Sequence, residues 1–131
     1  MKKNGKEYVS LKKIINLLLE KKCKVKMEYR KKKYKFGSLN YGDVPGFYNL
    51  ADGDPWDIFA PGYENELPLD RFYKVKGIIG IFMLENGNHK IAVKLYVPGY
   101  SKNRADSEIK KYCKTYTLKT KHVGKWISFT I

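Results

Sequence analysis

Three carboxylates, Asp52, Asp54 and Asp57, fall within six positions in the stretch Asn-Leu-Ala-Asp-Gly-Asp-Pro-Trp-Asp-Ile-Phe-Ala-Pro-Gly-Tyr, residues 49–63. Ionised carboxylates this close repel one another, so gathering them in a fold costs energy unless cations neutralise them. An oxygen-only donor set suits hard divalent ions, Mg²⁺ above all, and does not suit zinc, which prefers nitrogen and sulfur. The same residues also suit a plain turn, because Asp, Gly and Pro are ordinary loop residues and Asp-Gly often closes a hairpin. Spacing by itself leaves turn and metal site open.

The hexapeptide Asp52-Gly53-Asp54-Pro55-Trp56-Asp57 resembles the signature of soluble family I inorganic pyrophosphatases, Asp-Gly-Asp-Pro followed one residue later by Asp. Asn40-Tyr41-Gly42 stands upstream where that family carries a similar triplet, and Ile58-Phe59-Ala60-Pro61 continues as its apolar strand does. The run from Val75 to Met83 is similar to the family's glycine-bearing apolar strand ending in methionine, Ile91-Ala92-Val93 fits the next strand, and Gly124-Lys125-Trp126 matches a triplet near the chain's end. The similarity spans residues 26–131. It implies a mainly β fold, a five-stranded closed barrel of OB type, and hydrolysis of diphosphate with divalent metals that neutralise the phosphates and lower the pKa of a bound water.

Carried over position by position, the resemblance makes Asp52 and Asp57 metal ligands, Asp54 the general base and Tyr41 a phosphate contact. Glu85 stands in for one aspartate of the family's acidic loop, and Lys90 for its phosphate-binding lysine. Lys26, in Lys26-Met27-Glu28, matches a family Lys-x-Glu, and Tyr116 matches a tyrosine that is followed there by lysine and here by Thr117. A further bridging aspartate has become Asn88 or His89, or is absent, and no strand carries the family's phosphate-clamping arginine. Each lost donor falls on transition-state stabilisation, where single removals cost on the order of 10²–10³ in rate. The expectation is a divergent, catalytically weak or inactive member with Mg²⁺ weakly held; the alternative is a working Mg²⁺-dependent pyrophosphatase.

Charge adds a second expectation. The chain has 131 residues and a net charge of +14. Residues 1–35 hold 14 basic and 3 acidic side chains, residues 36–70 none and 7, and residues 71–131 13 and 3. An acidic segment therefore interrupts a cationic protein, and a surface this positive attracts polyanions such as DNA or RNA. Arg30, Lys31, Lys32, Lys33 and Lys35, flanked by Tyr29 and Tyr34, are the candidate nucleic-acid contacts, because aromatic rings stack on bases. The plain alternative for such a run is a solvated loop.

The elements that would position these residues read as follows. Leu11, Ile14, Ile15, Leu18 and Leu19 predict a helix over 10–22, capped by Ser10 and with Lys21 and Lys22 near its negative end. Its apolar stripe would pack on the domain itself or on a second copy. Alternation from Cys23 to Tyr29 predicts a strand, Arg30–Lys33 a turn and Tyr34–Phe36 a return strand. Residues 37–50 read as a loop, 56–60 as a strand, 61–70 as a loop and 72–84 as a long strand bent at Gly77 and Gly80. Asn86-Gly87 predicts a hairpin turn into a strand over 90–97. A short helix over 106–116 and a last strand over 125–131 complete a single domain. No apolar run is long enough to span a membrane, no signal-peptide pattern opens the chain, and the lone Cys23 and Cys113 suggest free thiols in an intracellular setting.

Overall fold

Two helices, each presenting one apolar stripe, cover opposite faces of one open sheet. The computed structural model describes residues 1–129. Helix α1 (Leu11–Leu19) starts where Ser10 Oγ accepts from Lys13 N at 3.2 Å and buries Ile14, Leu17 and Leu18. It ends at Glu20, earlier than its hydrophobic spacing predicts, because Lys21 takes a left-handed backbone at φ 60°. Lys21 and Lys22 therefore lie beyond the helix, and Lys21 Nζ donates to the Leu19 carbonyl at 3.3 Å.

The strands are β1 (Lys2–Lys3), β2 (Lys6–Tyr8), β3 (Val25–Met27), β4 (Tyr41–Tyr48), β5 (Pro55–Phe59), β6 (Phe72–Tyr73), β7 (Val75–Leu84), β8 (Lys90–Leu95) and β9 (Gly124–Ser128). They form one sheet in the order β1-β2-β4-β5-β8-β7-β9, with β3 also paired to β4 and β6 to β3. The closed five-stranded barrel expected from the resemblance is not formed. Among the described residues β9 pairs only with β7, and β4 shares its outer edge between β2 and β3, so the two margins never meet. The physical reason is the second helix. Helix α2 (Lys102–Thr120) buries Ala105, Ile109, Tyr112 and Tyr116 and, with Phe59, Phe82 and Ala92, fills an apolar layer that a barrel would have had to enclose by curling.

The opposite face carries Val25, Met27, Val44, Trp56, Ile58, Ile91 and Val93 against Ile14, Leu17 and Leu18 of α1. Burying each such side chain contributes roughly 1.5–3 kcal/mol. The stripe of α1 is thus used within the chain, which removes the apolar face that a second copy would have docked on.

Three local expectations are corrected. Residues 34–36 are not a return strand; Lys31–Lys33 form a 3-10 turn because Lys31 is drawn inward. Residues 41–48 are a strand, not a loop. Gly42 permits it, since a Cβ there would collide with the backbone carbonyl of Lys26 on β3, and the pairing of β4 with β5 breaks register between Val44 and Tyr48, around Pro45 and Gly46. Helix α2 runs from Lys102 to Thr120, with Ser101 capping it, and not from 106 to 116. The ends of the expected strand over 90–97 and of the last strand are shorter; residues 130–131 of the latter lie outside the described residues.

Candidate functional site

The aspartate loop is a tight connection between β4 and β5. Asn49 organises it: its backbone N donates to the Asp54 carbonyl at 2.8 Å, its Oδ1 accepts from Ala51 N at 3.0 Å, and its Nδ2 donates to the Gly87 carbonyl at 3.0 Å. Gly53 supplies the positive φ of 74°, and Asp52 Oδ1 accepts from Asp54 N at 3.0 Å. The turn and the carboxylate cluster are therefore the same object.

A cross-strand row sets the floor of the site. Side chains directly opposite one another in neighbouring strands share a face, and the register gives Phe72, Lys26, Asp43, Asp57, Lys90, Phe82 and Trp126 in sequence across the sheet. Two like charges, Asp43 and Asp57, stand opposite each other at its centre. Lys90, only 3% exposed, donates from Nζ to Asp57 Oδ2 at 2.6 Å. Its ammonium also lies 5.8 Å from the Tyr41 ring centroid and 5.6 Å from that of Tyr116, so one desolvated cation is held by a carboxylate and two ring faces.

Above this floor opens a cleft of about 520 Å³. Tyr41, Asp52, Asp54, Asp57, Lys90 and Tyr116 line it together. Glu28, Asp43 and Asn88 join them. The cleft holds five carboxylates against two lysines, Lys35 and Lys90. Burial, then Glu28 and Asp57, push the Asp43 carboxyl up from 3.8 to about 6. Burial, then Asp57, raise Glu28, and burial raises Asp52 although the Asp54 amide opposes it. Burial foremost holds the Tyr41 hydroxyl well above its ordinary value, so it stays a neutral donor.

Several expected site residues lie elsewhere. Glu85 is exposed in the β7–β8 turn and does not line the cleft, because that turn is too short to bring it across. Lys26 belongs to the charged row, yet its Nζ lies 5.5 Å from the Phe72 ring, away from the cleft. His89 does not line the cleft: its Nδ1 accepts from Leu84 N at 3.0 Å and its ring stacks on Trp56, on the other side of the strand. Asn88 faces the cleft instead, and its Oδ1 is a buried oxygen with no hydrogen-bond partner.

The basic run also divides. Lys31 is 6% exposed; its Nζ donates to the carbonyls of Tyr63 and Glu64 and pairs with Glu108 Oε2 at 3.1 Å. It is a structural cation and not a nucleic-acid contact. Arg30, Lys32, Lys33 and Lys35 are exposed, and only Lys35 reaches the cleft. A larger cavity of about 740 Å³ surrounds the Lys31–Glu108 pair, and Arg104 and Glu64 on its wall also pair with each other at 3.8 Å. Burial pushes the Cys23 and Cys113 thiols up to about 11 and about 12, so neither supplies a thiolate near neutral pH.

For a hard divalent ion the donor chemistry fits: five carboxylates and an orphaned amide oxygen outnumber the one imidazole of the lining, His122, and no sulfur competes. Among the described residues, no three His, Cys, Asp or Glu side chains stand close enough to clasp an ion by themselves. Magnesium rarely needs such a cage, since it is commonly held by one or two carboxylates, waters and the phosphates of its ligand.

Asp43 escapes a reading of the sequence that treats 37–50 as a loop. Once Tyr41 is known to face the cleft from a strand, Asp43 two positions on must face it too. Comparison with family models, characterised proteins and solved structures yields no match to this chain. No helix among the described residues is long and apolar enough to cross a membrane.

Proposed function

We propose that this chain is a divergent relative of the family I inorganic pyrophosphatases whose cleft takes the phosphates of a diphosphate-bearing anion together with Mg²⁺, and whose hydrolytic activity is weak. One observation carries this reading: six residues matched through the resemblance, spread from Tyr41 to Tyr116, line a single cleft. Asp52, Asp54 and Asn88 are the residues whose oxygens would hold the ion; Asp57, a ligand by the resemblance, is already paired with Lys90. When bound, Mg²⁺ supplies charge neutralisation and makes a water more acidic. Asp54 is exposed at the mouth of the cleft, where its carboxylate can take a proton from water, and the Asp52 side chain fixes the backbone that carries it. Lys90 offers the cation nearest the floor, and Tyr41 a buried hydroxyl donor.

The weakness follows from what is absent. Glu85 and Lys26 do not line the cleft, and Asp57 is occupied by Lys90. Each missing transition-state contact costs on the order of 10²–10³ in rate. Phosphate release from diphosphate with Mg²⁺ tests this: slow turnover that disappears in Asp54→Asn supports the reading. Turnover that is unchanged in Asp54→Asn removes it.

A second reading, binding of DNA or RNA through the basic surface, is favoured by the exposure of Arg30, Lys32, Lys33 and Lys35 on a chain of net charge +14. Its signature is affinity falling linearly with the logarithm of salt concentration. Absence of binding at low salt removes it.

A further inference from the structure

We infer that the occupant of the cleft is a mononucleotide, a nucleoside di- or triphosphate, whose phosphates face Lys90 and the aspartates while its base lies against Tyr29 and Phe36. This deepens the phosphate reading and rests on it.

Size is the first reason. A cavity of about 520 Å³ accommodates a ligand of several rings and chains. A bare diphosphate would leave much of it to water. The chemistry of the walls is the second. Beside the charged floor, the cleft is lined by Tyr29, Tyr34, Phe36, Tyr41 and Tyr116. Diphosphate has no apolar face and would use none of this aromatic surface for stacking. A purine or pyrimidine would.

The aromatic wall is also rigid. Tyr34 stacks on Tyr41 with centroids 4.2 Å apart and planes 15° from parallel, and its hydroxyl lies 3.2 Å from that of Tyr112. Phe36 packs on Tyr34 and Tyr116 at 5.6 and 4.8 Å. On this fixed stack sits Tyr29, 5.5 Å from Tyr34 and 40% exposed. A base meeting Tyr29 therefore orders little that is not already ordered, which is where stacking is most effective. Lys35 Nζ, 5.1 Å from the Phe36 ring, places a cation at the same end.

A mononucleotide is favoured over a strand of nucleic acid by charge. Bound Mg²⁺ would offset the carboxylates for one chelating di- or triphosphate, whereas a strand needs a row of cations along its backbone; only Lys35 and Lys90 line the cleft, and the burial of Lys31 interrupts the cationic run that would have tracked it.

Isothermal titration at fixed millimolar Mg²⁺ with ADP, diphosphate, adenosine and an oligo(dA) tests the inference. ADP is expected to bind about ten-fold tighter than diphosphate or more, the scale of one base–aromatic stack. Tyr29→Ala should bring the two ligands to similar affinity without weakening diphosphate, and Tyr29→Phe should preserve the difference. Phe36→Leu provides a second probe of the same wall should the first variant lose its fold. Equal affinity for ADP and diphosphate, or an unchanged ratio in both wall variants, overturns the base assignment while leaving the phosphate reading intact. If neither ADP nor diphosphate binds, the phosphate reading falls and this inference falls with it. Tighter binding of oligo(dA) than of ADP overturns the mononucleotide in favour of a strand.

Discussion

Asp43 on β4 and Asp57 on β5 stand directly opposite each other across the sheet, with Lys26 flanking one and Lys90 the other. Like charges in that position destabilise a sheet, and burial adds to the cost. Asp43 bears it, with its carboxyl raised to about 6 chiefly by desolvation, then by Glu28 and Asp57, with Lys26 opposing. An acid whose folded pKa exceeds its unfolded value favours the native state while protonated. Its contribution to stability therefore falls as pH rises from about 4 to about 6. Asp43→Asn should raise stability at pH 7.5 by about 1 kcal/mol, the full shift being discounted because the side chain is only half-buried. At pH 4 the variant should match the wild type. Thermal melts at the two pH values check this; an equal gain at both would show that the carboxylate's charge is not responsible.

Lys90 occupies the place a bound cation would take against Asp57. Lys90→Met leaves a half-buried carboxylate without its partner, which should cost about 3–5 kcal/mol. Millimolar Mg²⁺ should restore more thermal stability to that variant than to the wild type, because the ion meets a free carboxylate. Asp57→Asn in the same background should recover part of the loss and abolish the Mg²⁺ effect. Differential scanning calorimetry with and without Mg²⁺ reads all three.

Within the basic run the structure separates one lysine from its neighbours. Lys31→Met removes the cation that three oxygen partners share and should cost about 3 kcal/mol. Lys32→Met and Lys33→Met, on exposed side chains, should stay within about 0.5 kcal/mol. If the run binds nucleic acid, the same two exposed variants should each lower the slope of log affinity against log salt by about one. Urea unfolding and a salt titration of an oligonucleotide distinguish the roles.

The sequence exposed the parts of this molecule that depend on local pattern. The stripe Leu11–Leu19 and its Ser10 cap, the Asn86-Gly87 turn, and the apolar runs of β7 and β8 were all readable because 3.6- and 2-residue periods and turn chemistry leave marks in few residues. The β4 strand was hidden by the very residues that make it possible: Gly42 is required by the close carbonyl of Lys26, and Pro45 and Gly46 sit at the break in register. Openness of the sheet was not legible either. Whether strands curl into a barrel depends on what covers the face, and the weak amphipathicity of α2 conceals how completely Ile109, Tyr112 and Tyr116 cover it. At the site, the resemblance singled out six residues that the fold brings to one cleft, whereas the placements of Lys26, Glu85 and Lys31 came from treating side-chain type as sufficient. Each is redirected by a partner distant in sequence or by loop length: Phe72, the short 85–88 turn, and Glu108.

Titration of diphosphate into the wild type and Asp54→Asn, each with and without Mg²⁺, probes most directly whether the cleft is a phosphate site. Saturable binding by the wild type only when Mg²⁺ is present, weakened about ten-fold or more in Asp54→Asn, is the expected result. Binding that ignores Mg²⁺ and the substitution, or no binding at all, would contradict it.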